Sequence, residues 1–460
     1  MSVQAIVLAA GQGTRMKSSL PKVLHPVAGA PLLKWVVDAV RQAGPDQLVV
    51  VVGHGADEVE KMLPDGVRTV IQKEQLGTGH AARQALDVLG DVEGDTVLVV
   101  PGDSPLISAA TLSRLIERRA ADDAAVALLT TRMADPTGYG RVVRDGAGAI
   151  VGIIEERDAD DGQRLIDEVA VSTYAFEGGA LLKSLSRVGS SNDQGEIYLT
   201  DAIGVLAAEK APIVSIEIDE SEGIGVNDHE QLADAARRLR RRLNQQWMSE
   251  GVRMVDPERV YLDATVQLEA GVTLLPDVYL EGSTTVAAGA QVGPSVFAED
   301  SQIGPESHVW YSVLRGATVG ARAEVGPFAS LRPGTVLGPD SKAGTFVETK
   351  NAIVGPHSKI PHLSYVGDAE IGEGSNIGAG TITCNYDGFE KHATRIGDGV
   401  RIGSDTMLVA PVTIGDGAWT GAGSTITKDV SPGALAVERA EQREIPDYAA
   451  KKRAKKAPDE

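Results

Sequence analysis

The sequence predicts an α/β domain built on a mostly parallel sheet, followed by a parallel β-helix. Two observations support this fold class. In the first half, apolar segments of strand length alternate with segments of helical periodicity, which is the pattern of a parallel sheet covered by helices. In the second half, small apolar residues recur at every sixth position between Val260 and Ile426. That period indicates a β-helix in which three hexapeptides form one coil.

The first half begins with a continuous apolar run from Val3 to Ala10, as expected of a strand buried on both faces. Ser108 is placed to cap a helix that follows a later strand. Beyond Ala125 the pattern becomes strand-rich and indicates an insertion lying over the sheet. The further predicted strands are 48–52, 68–72, 96–100, 141–144, 150–155, 168–176 and 214–219, and the predicted helices are 32–43, 56–63, 77–89, 109–121 and 197–210.

In the second half, the residues of the six-residue ladder are predicted to point inward, with each coil burying its apolar edge against its neighbours. Gly often follows the ladder residue, as in Ile303-Gly304, and supplies the backbone freedom that a tight corner needs. An interruption between Ile377 and Ile396 predicts a loop over 385–393 that projects from the coil. The ladder comprises Val260, Val266, Val272, Val278, Val286, Val292, Ile303, Val309, Val313, Val319, Val325, Leu331, Leu337, Val347, Ile353, Tyr365, Ile371, Ile377, Ile396, Ile402, Leu408, Ile414 and Ile426.

These patterns divide the chain into an α/β domain, a linking helix, a β-helix and a tail. The linking helix places Leu232, Leu239 and Trp247 on one face, which makes it amphipathic. Its arginine-rich faces are interpreted as solvated rather than as a nucleic-acid contact, because the whole chain is acidic. The charged tail has little apolar content and is predicted to be disordered. The predicted boundaries are 1–229, 230–251, 252–437 and 438–460.

Composition restricts the possible functions. The chain has 460 residues, 42% hydrophobic content and a formal charge of −20, which argues against wide contact with nucleic acid or anionic membranes. A single cysteine, Cys384, rules out an intrachain disulfide and suits a reducing cytoplasm. The start of the chain lacks the features of a signal peptide, and no apolar run reaches the roughly 20 residues that a membrane span needs.

The first predicted site combines a glycine-rich turn with an acidic strand end. Gly11 and Gly13 follow the first strand and would let backbone N–H groups approach phosphate oxygens, with Arg15 and Lys22 adding positive charge. The turn matches neither the Rossmann dinucleotide pattern nor a P-loop, and on this feature alone an ordinary turn is an equal alternative. Asp103 follows a buried strand at the carboxyl edge, where open α/β sheets bind ligands and where a carboxylate suits Mg²⁺.

The second predicted site combines two cations with a histidine. Arg332, Lys350 and His362 are separated by multiples of six residues, so a β-helix would bring them to equivalent points on successive faces. Two cations beside a base indicate a phosphate site, and acetyl transfer from a thioester to an amine needs such a base. Cys384 as a nucleophile is the weaker alternative, because the sequence places no histidine to activate it.

Several motifs carry a family resemblance. Those of the first half, which resemble the signature of sugar-1-phosphate nucleotidyltransferases, are Leu8–Met16, Pro21–Leu24, Gln75–Ala81, Gly102–Asp103 and Gly225–Asn227. Those of the second half are Leu331–Gly334, Pro361–Asp368, Asn376–Thr381, Cys384–Gly388 and Gly403–Thr406. Nearly the whole chain resembles the family of bifunctional bacterial N-acetylglucosamine-1-phosphate uridylyltransferases/glucosamine-1-phosphate N-acetyltransferases. The resemblance implies a Rossmann-like nucleotidyltransferase domain followed by a left-handed parallel β-helix of hexapeptide repeats.

For the first half, the resemblance implies a nucleotide-sugar site with Mg²⁺ as cofactor, bound by Asp103 and Asn227. The residues that would hold the uracil and ribose are Leu8, Ala9, Ala10, Gly11, Gln72, Gly77 and Thr78. The other nucleotide-sugar contacts would be Lys22 at the phosphates, Gly102, and Gly140 and Glu155 at the N-acetylglucosamine. The chain departs from the family pattern at Ala170, where Asn is usual, and at Ser104, where an apolar residue is usual.

For the second half, the resemblance implies that His362 is the general base. The acceptor sugar phosphate would be bound by Arg332, Lys350, Tyr365, Asn376 and Lys391. Acetyl-CoA would be bound by Ala379, Asn385, Tyr386, Ser404, Ala422 and Arg439. In the family, the loop over 385–393 reaches a neighbouring subunit, which implies a homotrimer with shared sites.

The leading interpretation is a bifunctional cytoplasmic enzyme that uses acetyl-CoA, glucosamine 1-phosphate, UTP and N-acetylglucosamine 1-phosphate. It would acetylate glucosamine 1-phosphate and then transfer UMP from UTP to the product, giving UDP-N-acetylglucosamine and pyrophosphate for cell-wall and lipopolysaccharide synthesis. One alternative is a sugar-1-phosphate nucleotidyltransferase with a single activity, whose β-helix only assembles the oligomer. Another is a sugar-nucleotide sensor with a weakened first site, suggested by Ala170.

Overall fold

The computed structural model describes residues 2–190, 192 and 194–455. The chain divides into two compact units between Leu243 and Asn244. This boundary lies inside the helix His229–Ser249, which the sequence predicts as the linking helix. In the predicted tail, Tyr448–Ala454 form a helix of exposed residues. The prediction of disorder is therefore wrong for this segment, whose Ala, Lys and Arg residues are good helix formers. Positions 456–460 of the tail lie outside the described residues.

The first unit is an α/β domain. Its helices are α1 (Leu32–Gln42), α2 (Ala56–Met62), α3 (Thr78–Leu89), α4 (Ala109–Ala121), α5 (Gly178–Arg187), α6 (Asp201–Ala208) and, as far as Leu243, α7 (His229–Ser249). Its strands are β1 (Val3–Ala9), β2 (Pro26–Val27), β3 (Ala30–Pro31), β4 (Gln47–Val52), β5 (Arg68–Ile71), β6 (Thr96–Pro101), β7 (Val126–Arg132), β8 (Arg141–Arg144), β9 (Ile150–Ile154), β10 (Glu168–Glu177) and β11 (Ile213–Glu217).

The main sheet has the strand order β11-β7-β10-β6-β1-β4-β5. β1 pairs in parallel with β4 and β6, whereas β10 runs antiparallel to β6 and β7. Helices cover both faces, since Ile6 packs in one core with residues of α3, α5 and α6, and Val7 packs in another with residues of α1 and α4. This burial on both faces explains why β1, β4 and β6 are apolar at consecutive positions.

The N-termini of α4 and α5 can be compared with the predictions from the sequence. Ser108 caps α4, because its hydroxyl accepts a hydrogen bond from Thr111 N at 3.2 Å, as predicted. The sequence pattern does not predict α5, because the two glycines at its N-terminus, Gly178-Gly179, are typical of a turn. The Glu177 carboxylate accepts from Gly179 N at 2.9 Å and Ala180 N at 2.6 Å, and this capping allows the helix to begin there.

The second unit is a parallel β-helix, as predicted. Val260 pairs with Val278, and Leu280 pairs with Ala298, so these strands lie three hexapeptides from their partners. Its short strands run from Arg253–Met254 to Leu435–Ala436 and belong to two parallel sheets within the described residues: β12 (Arg253–Met254), β13 (Val260–Leu262), β14 (Gln267–Leu268), β15 (Thr273–Leu274), β16 (Val278–Glu281), β17 (Thr285–Val286), β18 (Gln291–Val292), β19 (Val296–Glu299), β20 (Gln302–Ile303), β21 (His308–Val309), β22 (Val313–Arg315), β23 (Thr318–Val319), β24 (Glu324–Val325), β25 (Ser330–Leu331), β26 (Val336–Leu337), β27 (Lys342–Thr345), β28 (Glu348–Val354), β29 (Lys359–His362), β30 (Tyr365–Ile371), β31 (Asn376–Ile377), β32 (Ile382–Cys384), β33 (Thr394–Ile396), β34 (Arg401–Ile402), β35 (Met407–Val409), β36 (Val412–Ile414), β37 (Trp419–Thr420), β38 (Thr425–Ile426) and β39 (Leu435–Ala436).

Most ladder residues line the interior of the coil, but three predictions are wrong. Val313 and Tyr365 are only half-buried, and Ile353 is 51% exposed. The coil before Ile353 is one residue shorter than three hexapeptides, since Leu337 pairs with Val354. Because side chains alternate along a strand, a shift of one residue turns the predicted inward residue outward. The buried residues at these points are the next ones along the chain, Leu314, Val354 and Val366.

Candidate active sites

A cavity of about 610 Å³ opens at the carboxyl edge of the first unit's sheet. The residues after β1 and β6 form its floor, as expected for an open α/β sheet. Nearly all the predicted nucleotide-sugar residues line it, namely Leu8, Ala9, Ala10, Gly11, Lys22, Gln72, Gly77, Thr78, Asp103, Gly140, Glu155 and Asn227. Gly102 is not among the lining residues. Gly102 instead contacts a residue that does line the cavity, since its N–H donates to Leu8 O at 2.8 Å. A Cβ on Gly102 would lie 3.0 Å from that oxygen.

The glycine-rich turn brings a cation close to the end of β1. Gly13 has a positive φ of 62°, and a Cβ on it would lie 2.5 Å from Lys22 Cβ. Only glycine therefore allows this approach of the two segments. The turn leads into a single 3₁₀ turn, Thr14–Met16. Gly11 lies at the cavity, and a Cβ on it would meet no atom within 4 Å, so the backbone there is open to a ligand.

Three polar side chains from distant segments meet in one corner of the cavity. The Lys22 ammonium forms an ion pair with Asp103 and lies 3.2 Å from Asn227 Oδ1. Asp103 follows β6, and Asn227 precedes α7. A carboxylate oxygen and an amide oxygen thus converge on a positive group, and these are the ligands that Mg²⁺ takes from proteins when phosphate and water supply the rest. The residues present therefore fit the implied metal ion.

The opposite end of the cavity carries a buried carboxyl group. Glu155 accepts a hydrogen bond from Thr200 Oγ1 at 2.8 Å, and burial raises its pKa above the ordinary value. Gly140 lies beside it, since a Cβ there would be 2.8 Å from Ile153 Cγ2 and 3.6 Å from Glu155 Oε1. A carboxyl group in this environment can hydrogen-bond to a polar ligand in the cavity.

Strand β10 forms another wall of this end and is irregular there. Its register with β7 shifts between Ala170 and Tyr174, and a bulge of this kind often redirects side chains beside an active site. Ala170 lines the cavity, so the departure from the family's usual Asn lies within the site. The sequence did not single out several polar lining residues, Tyr139, Tyr174, Glu196, Tyr198 and Thr200, because no local motif marks them.

In the second unit, three cations lie together on the outside of the coil. The pKa of Lys350 is lowered by the neighbouring Lys391 ammonium and by the Arg332 guanidinium. Arg332 also donates to Glu348 at 2.8 Å. Tyr365 belongs to the strand that pairs with the Lys350 strand, because Glu348 pairs with Tyr365 and Lys350 with Gly367. Like charges held together favour binding of an anion such as a phosphate.

The other two predicted members of this site lie on the second of the two sheets. His362 ends β29, and Asn376 begins β31, which pairs with β29. Lys350 and Tyr365 lie on strands of the other sheet and Arg332 directly follows one, whereas Lys391 approaches Lys350 from the loop between β32 and β33. The His362 side chain is exposed, and among the described residues it makes no hydrogen bond or ion pair. Its imidazole is thus available to a ligand at the coil surface.

The predicted acetyl-CoA residues stack along one corner of successive coils. Asp405 N donates to Ala379 O at 2.7 Å, and Gly423 N donates to Ser404 O at 2.8 Å. Arg439 Nη1 donates to Ala422 O at 2.9 Å and extends the row by one coil. These carbonyl contacts bring four predicted residues, Ala379, Ser404, Ala422 and Arg439, to one edge of the β-helix.

The predicted loop projects as a small hairpin. Tyr386 pairs with Lys391 in an antiparallel bridge, and Phe389 at the tip is 93% exposed. At its base, Asn385 donates to Asp368 at 2.5 Å. Cys384 lies just before the loop, and burial raises the pKa of its thiol. The raised pKa disfavours the thiolate and argues against a nucleophilic role.

Comparisons with known proteins agree with both halves of the molecule. The "MobA-like NTP transferase domain" family matches residues 5–170, and the "Bacterial transferase hexapeptide (six repeats)" family matches residues 393–428. The searched helices of the described residues include none long and apolar enough to cross a membrane.

The similar proteins cover almost the whole chain. "Bifunctional protein GlmU" of Streptomyces avermitilis is 49% identical over 97% of this chain and 94% of its own length. The protein of the same name from Kineococcus radiotolerans is 50% identical over 97% and 92%, and that from Trichlorobacter lovleyi is 48% identical over 98% of each. The chain therefore belongs to the family of bifunctional GlmU proteins, which confirms the resemblance to the bifunctional uridylyltransferase and acetyltransferase family.

Proposed function

We propose that the chain catalyses two consecutive reactions at two separate sites. The second unit transfers an acetyl group from acetyl-CoA to glucosamine 1-phosphate, and the first unit transfers UMP from UTP to N-acetylglucosamine 1-phosphate with release of pyrophosphate. The observation that carries this proposal is the presence of two sites of different chemistry. One is a cavity lined by a carboxylate oxygen and an amide oxygen, and the other is a cation cluster on a β-helix surface.

In the first site, the cavity residues bind and orient the two substrates. Lys22 would neutralise charge on the phosphates, while Gln72, Gly77 and Thr78 would hold the base and ribose. Gly140 and Glu155 would hold the sugar. The sugar phosphate is already ionised, so its oxygen can attack the α-phosphorus without a general base, and positioning supplies much of the catalysis. When bound by Asp103 and Asn227, Mg²⁺ would neutralise charge that develops on the phosphates.

In the second site, His362 would remove the proton that the sugar's amine must lose to attack the thioester carbonyl. The nitrogen then forms the amide bond, and the thiolate of coenzyme A leaves. Arg332, Lys350 and Lys391 would hold the sugar phosphate, together with Tyr365 and Asn376. The coil-edge residues described above would hold acetyl-CoA, together with Asn385 and Tyr386.

The same proposal includes a homotrimer and a cytoplasmic location, where UTP and acetyl-CoA are available. Two exposed features support association of copies of the chain. Phe389 stands at the tip of the projecting hairpin, and the exposed rings of Tyr311, Phe328 and Phe346 stack with centroids 5.7 and 5.4 Å apart. Exposed apolar surface of this kind commonly marks an interface. Sedimentation equilibrium should give about three times the chain mass of 48.1 kDa.

The test of the proposal is release of the coenzyme A thiol from acetyl-CoA, with and without glucosamine 1-phosphate. Release that depends on the sugar phosphate is expected. In a parallel assay, pyrophosphate release from UTP should depend on N-acetylglucosamine 1-phosphate. Absence of thiol release from a well-folded protein that still releases pyrophosphate would reduce the β-helix to a scaffold.

A further inference from the structure

The side-chain amide of Gln72 is held in one orientation from behind the cavity wall. Gln72 is only 4% exposed and lines the cavity. Its Nε2 lies 3.1 Å from Gly77 O and 3.0 Å from His80 Nδ1. A backbone carbonyl can only accept a hydrogen bond, so the amide group that faces Gly77 O must be the NH₂. The flipped amide would place two oxygens against each other.

The fixed amide also determines the tautomer of His80. Because the Gln72 NH₂ group is a donor, His80 Nδ1 must accept, and the ring proton of the neutral imidazole must then lie on Nε2. His80 occupies the first turn of α3 and is not among the residues that line the cavity. Its effect on a ligand would therefore pass through Gln72.

The two contacts leave one atom of the amide for a ligand. Both N–H groups of Gln72 have acceptors, whereas Oε1 receives no hydrogen bond from any group in the described part of the chain. A free acceptor at this wall selects a ligand edge that carries a hydrogen-bond donor. The N3 atom of uracil carries a hydrogen, and the N3 atom of cytosine is an acceptor. An acceptor oxygen at this position thus favours binding of uracil and disfavours binding of cytosine.

We propose that His80 is a positioning residue that keeps Gln72 Oε1 directed toward the base and thereby sets the preference for UTP over CTP. The inference rests on the proposed uridylyl transfer in this cavity. It goes beyond that assignment because it gives a role to a side chain outside the cavity lining. Sites that hydrogen-bond a substrate group commonly reject analogues that lack it.

The test compares a substitution that removes the acceptor at the Nδ1 position with one that keeps an acceptor there. His80→Phe keeps a ring and removes the acceptor, whereas His80→Asn carries Oδ1 on Cγ, where histidine carries Nδ1. For His80→Phe we expect the ratio of kcat/KM for UTP over CTP to fall about tenfold, the effect of losing one buried hydrogen bond. The KM for N-acetylglucosamine 1-phosphate should stay unchanged, and His80→Asn should keep the wild-type ratio within about twofold.

A purely structural role for His80 predicts a different result. It would lower thermal stability and change the KM values for both substrates together, with the ratio of UTP to CTP unchanged, and this outcome would overturn the inference. His357→Phe, in the second unit, serves as the control histidine and should leave the ratio as in the wild type. If His80→Phe does not fold, His80→Leu removes the same acceptor.

The wild-type protein gives a further test that needs no substitution. It should use UTP at least about tenfold better than CTP, and equal use of the two nucleotides would overturn the inference even though uridylyl transfer itself was demonstrated. Absence of any transfer from UTP would instead overturn the proposed function. The two failures are therefore distinguishable in one set of assays.

Discussion

Individual residues in both sites depend on partners that are far away in the chain. Lys22 illustrates this, because its ammonium group contacts Asp103 and Asn227, which follow it by 81 and 205 positions. In this corner of the cavity a cation therefore faces a carboxylate oxygen and an amide oxygen, and the fold rather than the local sequence brings the three groups together.

His362 gives the sharpest prediction at the residue scale. The side chain is exposed and its loss opens no cavity, so His362→Ala should fold normally. We expect acetyl transfer to fall roughly a hundredfold or more, because a general base is lost, while uridylyl transfer stays at the wild-type rate. Thiol release and pyrophosphate release are measured on the same preparation.

The matched control for this experiment is His357→Ala. His357 is another exposed histidine of the β-helix, with Nδ1 3.9 Å from Asp340, and its removal should leave both activities unchanged. An equal loss of both activities in a folded His362→Ala protein would contradict separate sites.

Ala170 permits a gain-of-function prediction. Ala170 lines the cavity together with Gly140 and Glu155, the residues proposed to hold the sugar, and its methyl group can make no hydrogen bond. Ala170→Asn should lower the KM for N-acetylglucosamine 1-phosphate by about fivefold, equivalent to about 1 kcal/mol for an added hydrogen bond. The KM for UTP should not change. Ala170→Val adds comparable bulk without a polar group, so an equal effect of both substitutions would refute the hydrogen-bonding explanation.

Glu155 predicts a pH dependence of stability. Burial raises its pKa in the folded state, so its contribution to stability is fully present below the unfolded pKa and is lost as the pH rises through the folded pKa. Glu155→Gln removes the charge and keeps an oxygen acceptor for Thr200. We expect a higher Tm than the wild type at pH 7 and no difference below about pH 4. Thermal unfolding followed by circular dichroism across this pH range measures the difference in Tm. A lower Tm for Glu155→Gln than for the wild type at pH 7 would contradict the prediction.

At the scale of elements, the corners of the β-helix are packed backbone against backbone. A Cβ on Gly378 would lie 2.5 Å from Ser404 N, and one on Gly403 would lie 2.6 Å from Ala422 N. These glycines are needed for close approach rather than for a positive φ. The repeated Gly after a ladder residue is thus a requirement of coil stacking, and the same stacking aligns the predicted acetyl-CoA residues.

Gly378→Ala tests this packing. The added methyl group would meet backbone atoms of the next coil. We therefore expect the free energy of unfolding to fall by about 1–3 kcal/mol, which corresponds to a fall in Tm of several degrees for a unit of this size. Differential scanning calorimetry should show the change in the β-helix transition. Gly421→Ala is the control, because its Cβ would meet side-chain atoms rather than backbone, Val437 Cγ2 at 3.0 Å and Ser424 Oγ at 3.5 Å. Equal destabilisation by both substitutions would contradict the explanation.

At the scale of the whole molecule, the two units have sites that differ in charge and in enclosure. The first offers carboxylate and amide oxygens inside a cavity, and the second offers cations on a coil surface. Oxygen ligands suit a divalent metal ion, whereas clustered cations would repel one. The two activities should therefore differ in their dependence on metal.

Metal removal tests this difference. EDTA in excess should abolish uridylyl transfer, and added Mg²⁺ should restore it, while acetyl transfer continues at the rate seen without EDTA. Both assays are run on one preparation of the full chain, with thiol and pyrophosphate release as the measurements. Parallel loss of acetyl transfer under EDTA would contradict a metal-independent second site.

Much of this architecture follows from local pattern. The apolar run of β1, the Ser108 cap and the six-residue period each depend on a few neighbouring residues, so each could be recognised without a structure. Two of the errors occurred where the outcome depended on contacts elsewhere. Helix α5 begins at two glycines because Glu177 caps it, and Ile353 faces outward because its coil is shorter by one residue.

The sequence by itself determined the fold class of each half, the division into two activities and most of the residues that line the first cavity, because recurring period and motif are local properties. Tertiary structure alone decided which donors face which acceptors. It brought Thr200 to Glu155, His80 to Gln72 and Lys391 to Lys350. Such contacts join groups on different segments and depend on distances of a few tenths of an ångström, and hydrogen-bond geometry at that precision does not follow from any local pattern.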